Sequence, residues 1–436
     1  MTARRDALLN PGVEPREVWA WALYDFANSG YTTVVITAVF AAYFVGGVAQ
    51  GASWATLAWT LALGVSNAGV MLLMPLLGAY ADARACKKPL LALTTAGCVL
   101  ATAALAAVGP GDVALALVLV ALSNLFYALG EGLIAAFLPE LARPAALGRV
   151  SGWGWGLGYV GGMLTLGLCL AYVLWAQAQG QTGAQFVPVT MGMTALMYAL
   201  PASLTLAWLR ERAVAQTASV GLVGLWFAAW QPLRATAAQA GRYRDFVVLL
   251  ACSVAYQAGV AIAIALAAIY AEQVMGFAQQ ETMIMIFALN LAAAAGALGW
   301  GYVQDRVGHR LALGSTLVGW MAVCALAATS HDKAQFWVAA VIAGVCMGSS
   351  QSAGRAMAGL LAPPAQRAEF FGLWAFAVRL ATIAGPLGYG VLTWATGGNQ
   401  RLAIGCTTGL FVLGLVLLLP LNMERGQAAA RAHDTA

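Results

Sequence analysis

The sequence predicts an all-α membrane protein of twelve transmembrane helices in two pseudo-symmetric six-helix halves. Composition, a series of twelve apolar runs and one repeated motif lead to that class. Of 436 residues, 61% are hydrophobic and 9% are charged, and mean hydropathy is +0.79. Soluble domains carry about 25% charged residues. So few charges would not keep a chain of this length dispersed in water, so its solvent is lipid.

The elements follow in chain order. Residues 1–17 are a polar tail holding Arg4, Arg5 and Arg16, with no apolar signal region. The first apolar run is too long for a cleaved signal and reads as a retained anchor. A span needs about 20 mostly apolar residues. Runs of that kind at 18–45, 55–80, 89–108, 113–138, 150–175 and 187–209 make a first half, residues 18–209. Residues 210–245 read as a link. Within 218–233, Leu222, Leu225, Trp226, Ala229, Trp230 and Leu233 recur at helical spacing between Arg212 and Arg234, which predicts a helix lying at the membrane surface. Runs at 246–271, 282–304, 311–329, 335–361, 370–395 and 402–421 make the second half, residues 246–421, before a short tail at 422–436.

Charge placement supports this count. With the N-terminus inside, the cytoplasmic segments hold 18 of the 22 Lys and Arg residues. Lys333 and Arg401 fall outside, and Arg355 and Arg379 fall within spans. The bias fits an even number of helices with both termini in the cytoplasm. It also accounts for the net charge of +5 without a nucleic-acid partner. The seven cysteines form no CxxC pair or metal spacing and read as free small residues. No HExxH, Gly-x-Ser-x-Gly or Walker-type motif is present, so the chain predicts no enzyme, cofactor or metal, and points to ion gradients over ATP.

The halves echo each other. Residues 78–88 read GAYADARACKK and residues 301–310 read GYVQDRVGHR, so that Gly78 and Gly301, Asp82 and Asp305, and Lys87 and Arg310 are each 223 apart. Arg306 and Gly308 complete the second copy, whereas the first carries Ala83, Ala85 and Cys86 at its variable points. Both copies are expected on the cytoplasmic loop after the second helix of their half. The pattern resembles G-x-x-x-D-R-x-G-R-[RK] of the major facilitator superfamily. That resemblance implies the superfamily fold and a loop that helps to close the cytoplasmic side; a tight positive-inside turn would use the same residues.

Charges inside the spans are the candidate site, because ionisable groups at membrane depth are expensive and usually functional. Asp25 shares a helical face with Asn28, Ser29 and Thr32, flanked by Tyr24 and Tyr31. Ser253, Tyr256 and Gln257 make a similar patch on the seventh span. Glu131 lies eight residues before Pro139 and Arg355 eight before Pro363, which puts opposite charges at repeat-equivalent places. Asn124 and Tyr127 precede Glu131 on its face; Gln351 and Ser352 precede Arg355; Arg379 is a further cation on the eleventh span. In the superfamily fold, spans one, four, seven and ten line the central cavity, and the resemblance implies that these side chains meet there. Two structural alternatives stand beside a transport role. Asp25 could serve helix packing, and Glu131 and Arg355 could pair as a structural bridge. Gly154, Gly158 and Gly162 repeat at the small-xxx-small spacing that brings helices close.

The stretches WALYDFANSGY, 137–162 and 351–390 resemble the branch holding the fungal autophagy-linked vacuolar amino-acid effluxers and their bacterial relatives. The resemblance implies export of neutral amino acids or similar small metabolites. A zwitterion suits the charges found: Arg355 or Arg379 for its carboxylate, Asp25 or Glu131 for its ammonium. The expectation is a monomeric secondary transporter of a small-molecule substrate in the bilayer of a bacterial inner membrane, with protons as the coupling ion. A polyspecific drug or lipophile exporter of the same fold is the alternative, and Trp153, Trp155 and Trp374 suit it.

Overall fold

A computed structural model describes residues 8–52, 54–213, 243–277, 279–397 and 399–432. Among these residues, twelve helices are long and apolar enough to cross a membrane. They are α1 Pro15–Val48, α2 Ala55–Arg84, α3 Lys87–Ala107, α4 Val113–Ala135, α5 Leu147–Ala178 and α6 Gly183–Trp208 in the first half. The second half holds α7 Arg244–Gln273, α8 Gln279–Val307, α9 His309–Thr329, α10 Lys333–Leu361, α11 Arg367–Ala395 and α12 Gln400–Leu418, and is followed by the short α13 Met423–Arg431. The surface helix expected at 218–233 falls outside the described residues. An even number of spans puts the 8–14 segment, the 209–213 segment and α13 on one side of the membrane, here called the terminal side.

The repeated motif departs from expectation. Gly78 and Asp82 lie inside α2, and Gly301, Asp305 and Arg306 inside α8, not in loops. The reversal is made by Ala85 at φ +51° after α2 and by Gly308 at φ +91° after α8, left-handed conformations that end a helix within one residue.

Lipid offers no hydrophobic drive for helix association, so close packing must do that work. Glycines supply it. In the first half, Gly158 and Gly162 of α5 face the Asp25–Ser29 turn of α1, and a Cβ at Gly158 would stand 3.0 Å from Ser29 Oγ. In the second half, Gly344 and Gly348 of α10 press on the α8 carbonyls of Leu289 and Ala293. Two further contacts join the halves. Gly78 of α2 abuts Ala368 of α11, while Gly372 of α11 sits against Met74 and Pro75 of α2. Gly152 of α5 abuts Ala297 of α8, and Gly301 of α8 sits against Gly148. Beyond the turn holding Asp25, α1 widens over Thr32–Ala38, where Val39 N–H reaches Val34 C=O at 2.8 Å. Such i→i+5 turns recur at functional positions.

Each half is fastened at the terminal side by an equivalent clasp. Glu17, in the first turn of α1, accepts from both terminal nitrogens of Arg212, which follows α6, at 2.9 and 2.7 Å. Asp245, in the first turn of α7, accepts from Arg425, which follows α12, at 2.8 and 2.7 Å. Hydrogen bonding to Glu17 holds the Arg212 guanidinium above its ordinary range. The residue between the two link arginines, Glu211, caps the start of α3 by accepting from Lys87 N–H at 2.7 Å and Lys88 N–H at 3.1 Å.

Candidate functional site

Two ion pairs sit inside the membrane, and each has one partner in each half. Arg355 of α10 donates from Nη1 to Asp25 Oδ2 of α1 at 2.6 Å. Its Nε and Nη2 bond to the hydroxyl and carbonyl of Ser151 on α5, at 3.1 and 2.8 Å. Its guanidinium also lies over Trp21 and Trp155, 4.7 and 5.3 Å from the ring centroids. Trp21 is itself pinned, since its indole N–H donates to Ile134 C=O at 2.9 Å. Space for the pair exists because residue 154 lacks a Cβ: one there would stand 2.6 Å from Arg355 Nη2.

The second pair joins α4 to α11. Arg379 Nη2 donates to Glu131 Oε2 at 2.5 Å. Glu131 and Arg355 therefore do not pair with each other. Repeat symmetry placed both charges at matching heights, but Glu131 faces α11 and Arg355 faces α1. Exposure separates the pairs: the Asp25 and Arg355 side chains are 10% and 5% exposed, against 34% and 15% for Glu131 and Arg379. Every residue from Tyr127 to Ala142 is buried except Glu131. Protein surrounds that segment of α4 on all faces, so the opening at Glu131 leads into the interior of the bundle and not to lipid.

The remaining predicted site residues divide. Tyr127, one turn before Glu131, packs its ring 5.2 Å from that of Tyr31. Gln257 donates to Gln351 Oε1 at 2.7 Å, and its neighbour Tyr256 places its hydroxyl where Gly354 leaves room. Others are satisfied within the first half. Asn28 accepts from Tyr198 of α6 at 2.6 Å, Tyr31 bonds to Ser123 at 2.8 Å, and Asn124 donates to Ser66 of α2 at 2.9 Å. The stripe of Asp25 and Asn28 thus serves two neighbours: the aspartate faces the other half and the asparagine its own. Sequence reasoning missed Ser151, Trp21 and Tyr198. None carries a charge, and only the recurring glycines after Ser151, at 152, 154, 156 and 158, hinted at a close approach.

The motif residues form a second layer toward the terminal side. Asp82, at the end of α2, accepts from Glu369 N–H in the first turn of α11 at 3.0 Å. Asp305, at the end of α8, accepts from Gly148 N–H in the first turn of α5 at 3.0 Å and from Arg149 Nε at 2.9 Å. Each aspartate thereby caps the positive end of a helix in the opposite half. Lys87 is buried and forms an ion pair with Glu140. Arg306, Gly308 and Arg310 are exposed. Among the described residues, every hydrogen bond and ion pair between the halves lies on the terminal side or near mid-membrane. This structure is closed at the terminal side.

Twelve spans in two halves that meet along α2–α11 and α5–α8 define a membrane transporter of the major facilitator fold. The proton:xylose symporter XylE superposes with a TM-score of 0.73 at 12% identity, over 93% of this chain and 95% of that one. The human organic anion transporter MFSD10 superposes with a TM-score of 0.71 at 16% identity, over 94% of this chain and 100% of that one. Within that fold, the family described as "Vacuole effluxer Atg22 like" matches residues 41–431, and the chain belongs to it. Among relatives, the uncharacterized MFS-type transporter YxiO of Bacillus subtilis is 27% identical over 412 residues, 92% of this chain and 93% of that protein. Autophagy-related protein 22-1 of Neosartorya fischeri is 25% identical over 308 residues, 65% of this chain and 49% of that protein. The match thus spans about half the length of the fungal relative.

Proposed function

We propose that the protein is a secondary active exporter of small zwitterions, neutral amino acids foremost, that works by alternating access and is coupled to protons. The observation that carries this reading is the pair of carboxylate–guanidinium contacts inside the membrane, each divided between the halves. When the halves part on the terminal side, both contacts must break, and each leaves a bare anion and a bare cation. Bare buried charges cost several kcal/mol each, so opening needs a substitute. An amino acid carries one ammonium and one carboxylate and can replace one pair. A proton on a carboxylate neutralises half of the other. Export accords with the effluxer description of the family, and the bias of Lys and Arg toward the terminal side supports a cytoplasmic location for that side. A bacterial inner membrane and a monomeric carrier complete the reading.

A second reading is an exporter of hydrophobic cations. It draws on the indoles of Trp155 and Trp374, whose buried N–H groups have no hydrogen-bond partner among the described residues. Counterflow in proteoliposomes separates the two. Vesicles loaded with a mixed pool of amino acids and metabolites are expected to exchange neutral amino acids, and to do so much more slowly with Asp25→Asn or Arg355→Ala. Exchange of hydrophobic cations alone would overturn the zwitterion reading. Proton coupling fails if an imposed pH gradient drives no accumulation.

A further inference from the structure

We infer that the two intramembrane ion pairs divide the work: Glu131–Arg379 is the substrate's own site, and Asp25–Arg355 is the latch that holds the terminal side shut. This rests on the zwitterion reading above and assigns its charges to residues. The difference lies in how many donors each arginine has left. Arg355 spends three of its five N–H groups, one from each nitrogen, on Asp25 and Ser151, and lies against the rings of Trp21 and Trp155. No edge of this guanidinium has both of its nitrogens free for a substrate carboxylate. Arg379 makes one hydrogen bond among the described residues, from Nη2 to Glu131. Of the five N–H groups of a guanidinium, four remain.

Glu131 is likewise engaged through Oε2, while Oε1 makes no hydrogen bond among the described residues. A zwitterion needs what this pair offers. The fork of Arg379 can take a carboxylate bidentately, and the free carboxylate oxygen of Glu131 can accept from an ammonium. Exposure agrees with chemistry, since the Glu131 and Arg379 side chains are 34% and 15% exposed against 10% and 5% for Asp25 and Arg355. Tyr127, tilted against Tyr31 with ring centroids 5.2 Å apart, lies one turn from Glu131.

The two roles leave different signatures. Loss of the substrate pair changes what is recognised, whereas loss of the latch changes how fast the halves move without altering preference among substrates. The probes are L-leucine, leucinamide, which lacks the anionic carboxylate, and 4-methylvalerate, which lacks the ammonium. Purified full-length protein in proteoliposomes is assayed for counterflow with each. To avoid leaving a lone buried charge, both pairs are neutralised whole, as Glu131→Gln with Arg379→Gln and as Asp25→Asn with Arg355→Gln. The first double variant is expected to lose the preference for leucine over leucinamide by about tenfold or more, the scale of a charged hydrogen bond, mostly through KM. The second is expected to slow exchange while the leucine-to-leucinamide ratio stays as in the wild type. Arg379→Lys, which keeps the charge without the fork, should retain part of the preference and show that the variants are folded.

If the ratio collapses in the Asp25/Arg355 variant and survives in the Glu131/Arg379 variant, the assignment is reversed and this inference falls, while the zwitterion reading stands. If neither variant alters the ratio, the inference also falls. Wild-type protein that exchanges none of the leucine-derived probes, yet carries hydrophobic cations, removes the zwitterion reading and the inference with it.

Discussion

Gly154→Ala is a one-methyl test of the closed seam. The new Cβ would lie 2.6 Å from Arg355 Nη2 and 2.7 Å from Trp21 Cζ3, and closer still to Asp25 Oδ2. None of these neighbours yields freely. Trp21 is held by Ile134, and Arg355 by Asp25 and Ser151. Overpacking of this kind costs about 1–3 kcal/mol. Alanine also gains about 1 kcal/mol over glycine in a helix, but that gain is the same in every state of α5 and cancels from the conformational equilibrium. The contact with Arg355 exists only while the halves are together. Asp25 and Trp21 lie in the same half as Gly154, so only the share of the cost borne by Arg355 counts; a share of about 1 kcal/mol shifts the equilibrium toward opening of the terminal side by about 5-fold. The shift is read by maleimide labelling of Leu147→Cys in a background without native cysteines, because Leu147 is 2% exposed and faces Gly359 of the other half. Gly167→Ala, on the same helix but with nothing within 4 Å of its new Cβ, is the control. Equal labelling rates in the two variants would refute the reasoning.

Lys87→Met should cost about 3–5 kcal/mol in thermal or denaturant unfolding, because it removes the cation from buried Glu140 and leaves it only the Arg212 N–H at 3.3 Å; adding Glu140→Gln should recover most of the loss, and an unchanged midpoint in the single variant would show the pair to be dispensable. Cys86 lies in the turn between α2 and α3, and burial, with the Glu211 carboxylate next, pushes its thiol up from the ordinary value. The thiol is thus protonated at neutral pH, and maleimide labelling of a single-cysteine Cys86 protein should still be rising with pH at pH 9, where an unperturbed thiol of pKa about 8.5 has begun to level off. A plateau below that pH would contradict the burial.

Much of this architecture is legible in the chain, because lipid imposes one demand, a run of apolar residues about 20 long, and twelve such runs are present. The predicted runs and the helices differ mainly at their ends. The largest difference is at the repeated motif, where α2 and α8 continue through Asp82 and Asp305 and turn only at Ala85 and Gly308. The site was legible as an inventory and not as a set of partners. Intramembrane charge marks Asp25, Glu131, Arg355 and Arg379, but a stripe on one helix does not say which helix faces it. Symmetry suggested Glu131 opposite Arg355, whereas Arg355 of α10 reaches Asp25 of α1 and Arg379 of α11 reaches Glu131 of α4. The partners that complete the latch, Ser151 and Trp21, are neutral and lack the desolvation cost that makes a charge conspicuous. Asn28 misled for the opposite reason: its polarity is absorbed by Tyr198, within its own half.

Stability alone does not account for these ion pairs. A buried pair often contributes less than apolar side chains of the same volume would, while removal of one partner is strongly destabilising. Such a contact is poor cement and a good switch, since its energy depends steeply on whether both partners are present. The contacts across the halves follow that logic. At the terminal side, Asp82 and Asp305 cap helix ends of the opposite half through backbone N–H groups, bonds that water can replace once the seam opens. Within the membrane, Arg355 of the Asp25–Arg355 pair lies against two indoles, and under the proposed reading a proton on Asp25 is the smallest change that loosens it. Glu131–Arg379 keeps unused donors and an interior opening, so under the same reading a zwitterion would exchange bonds with it one at a time without exposing a bare charge. A carrier that opened only when the more exposed pair had been satisfied by cargo and the sealed pair by a proton would couple the two by electrostatics alone.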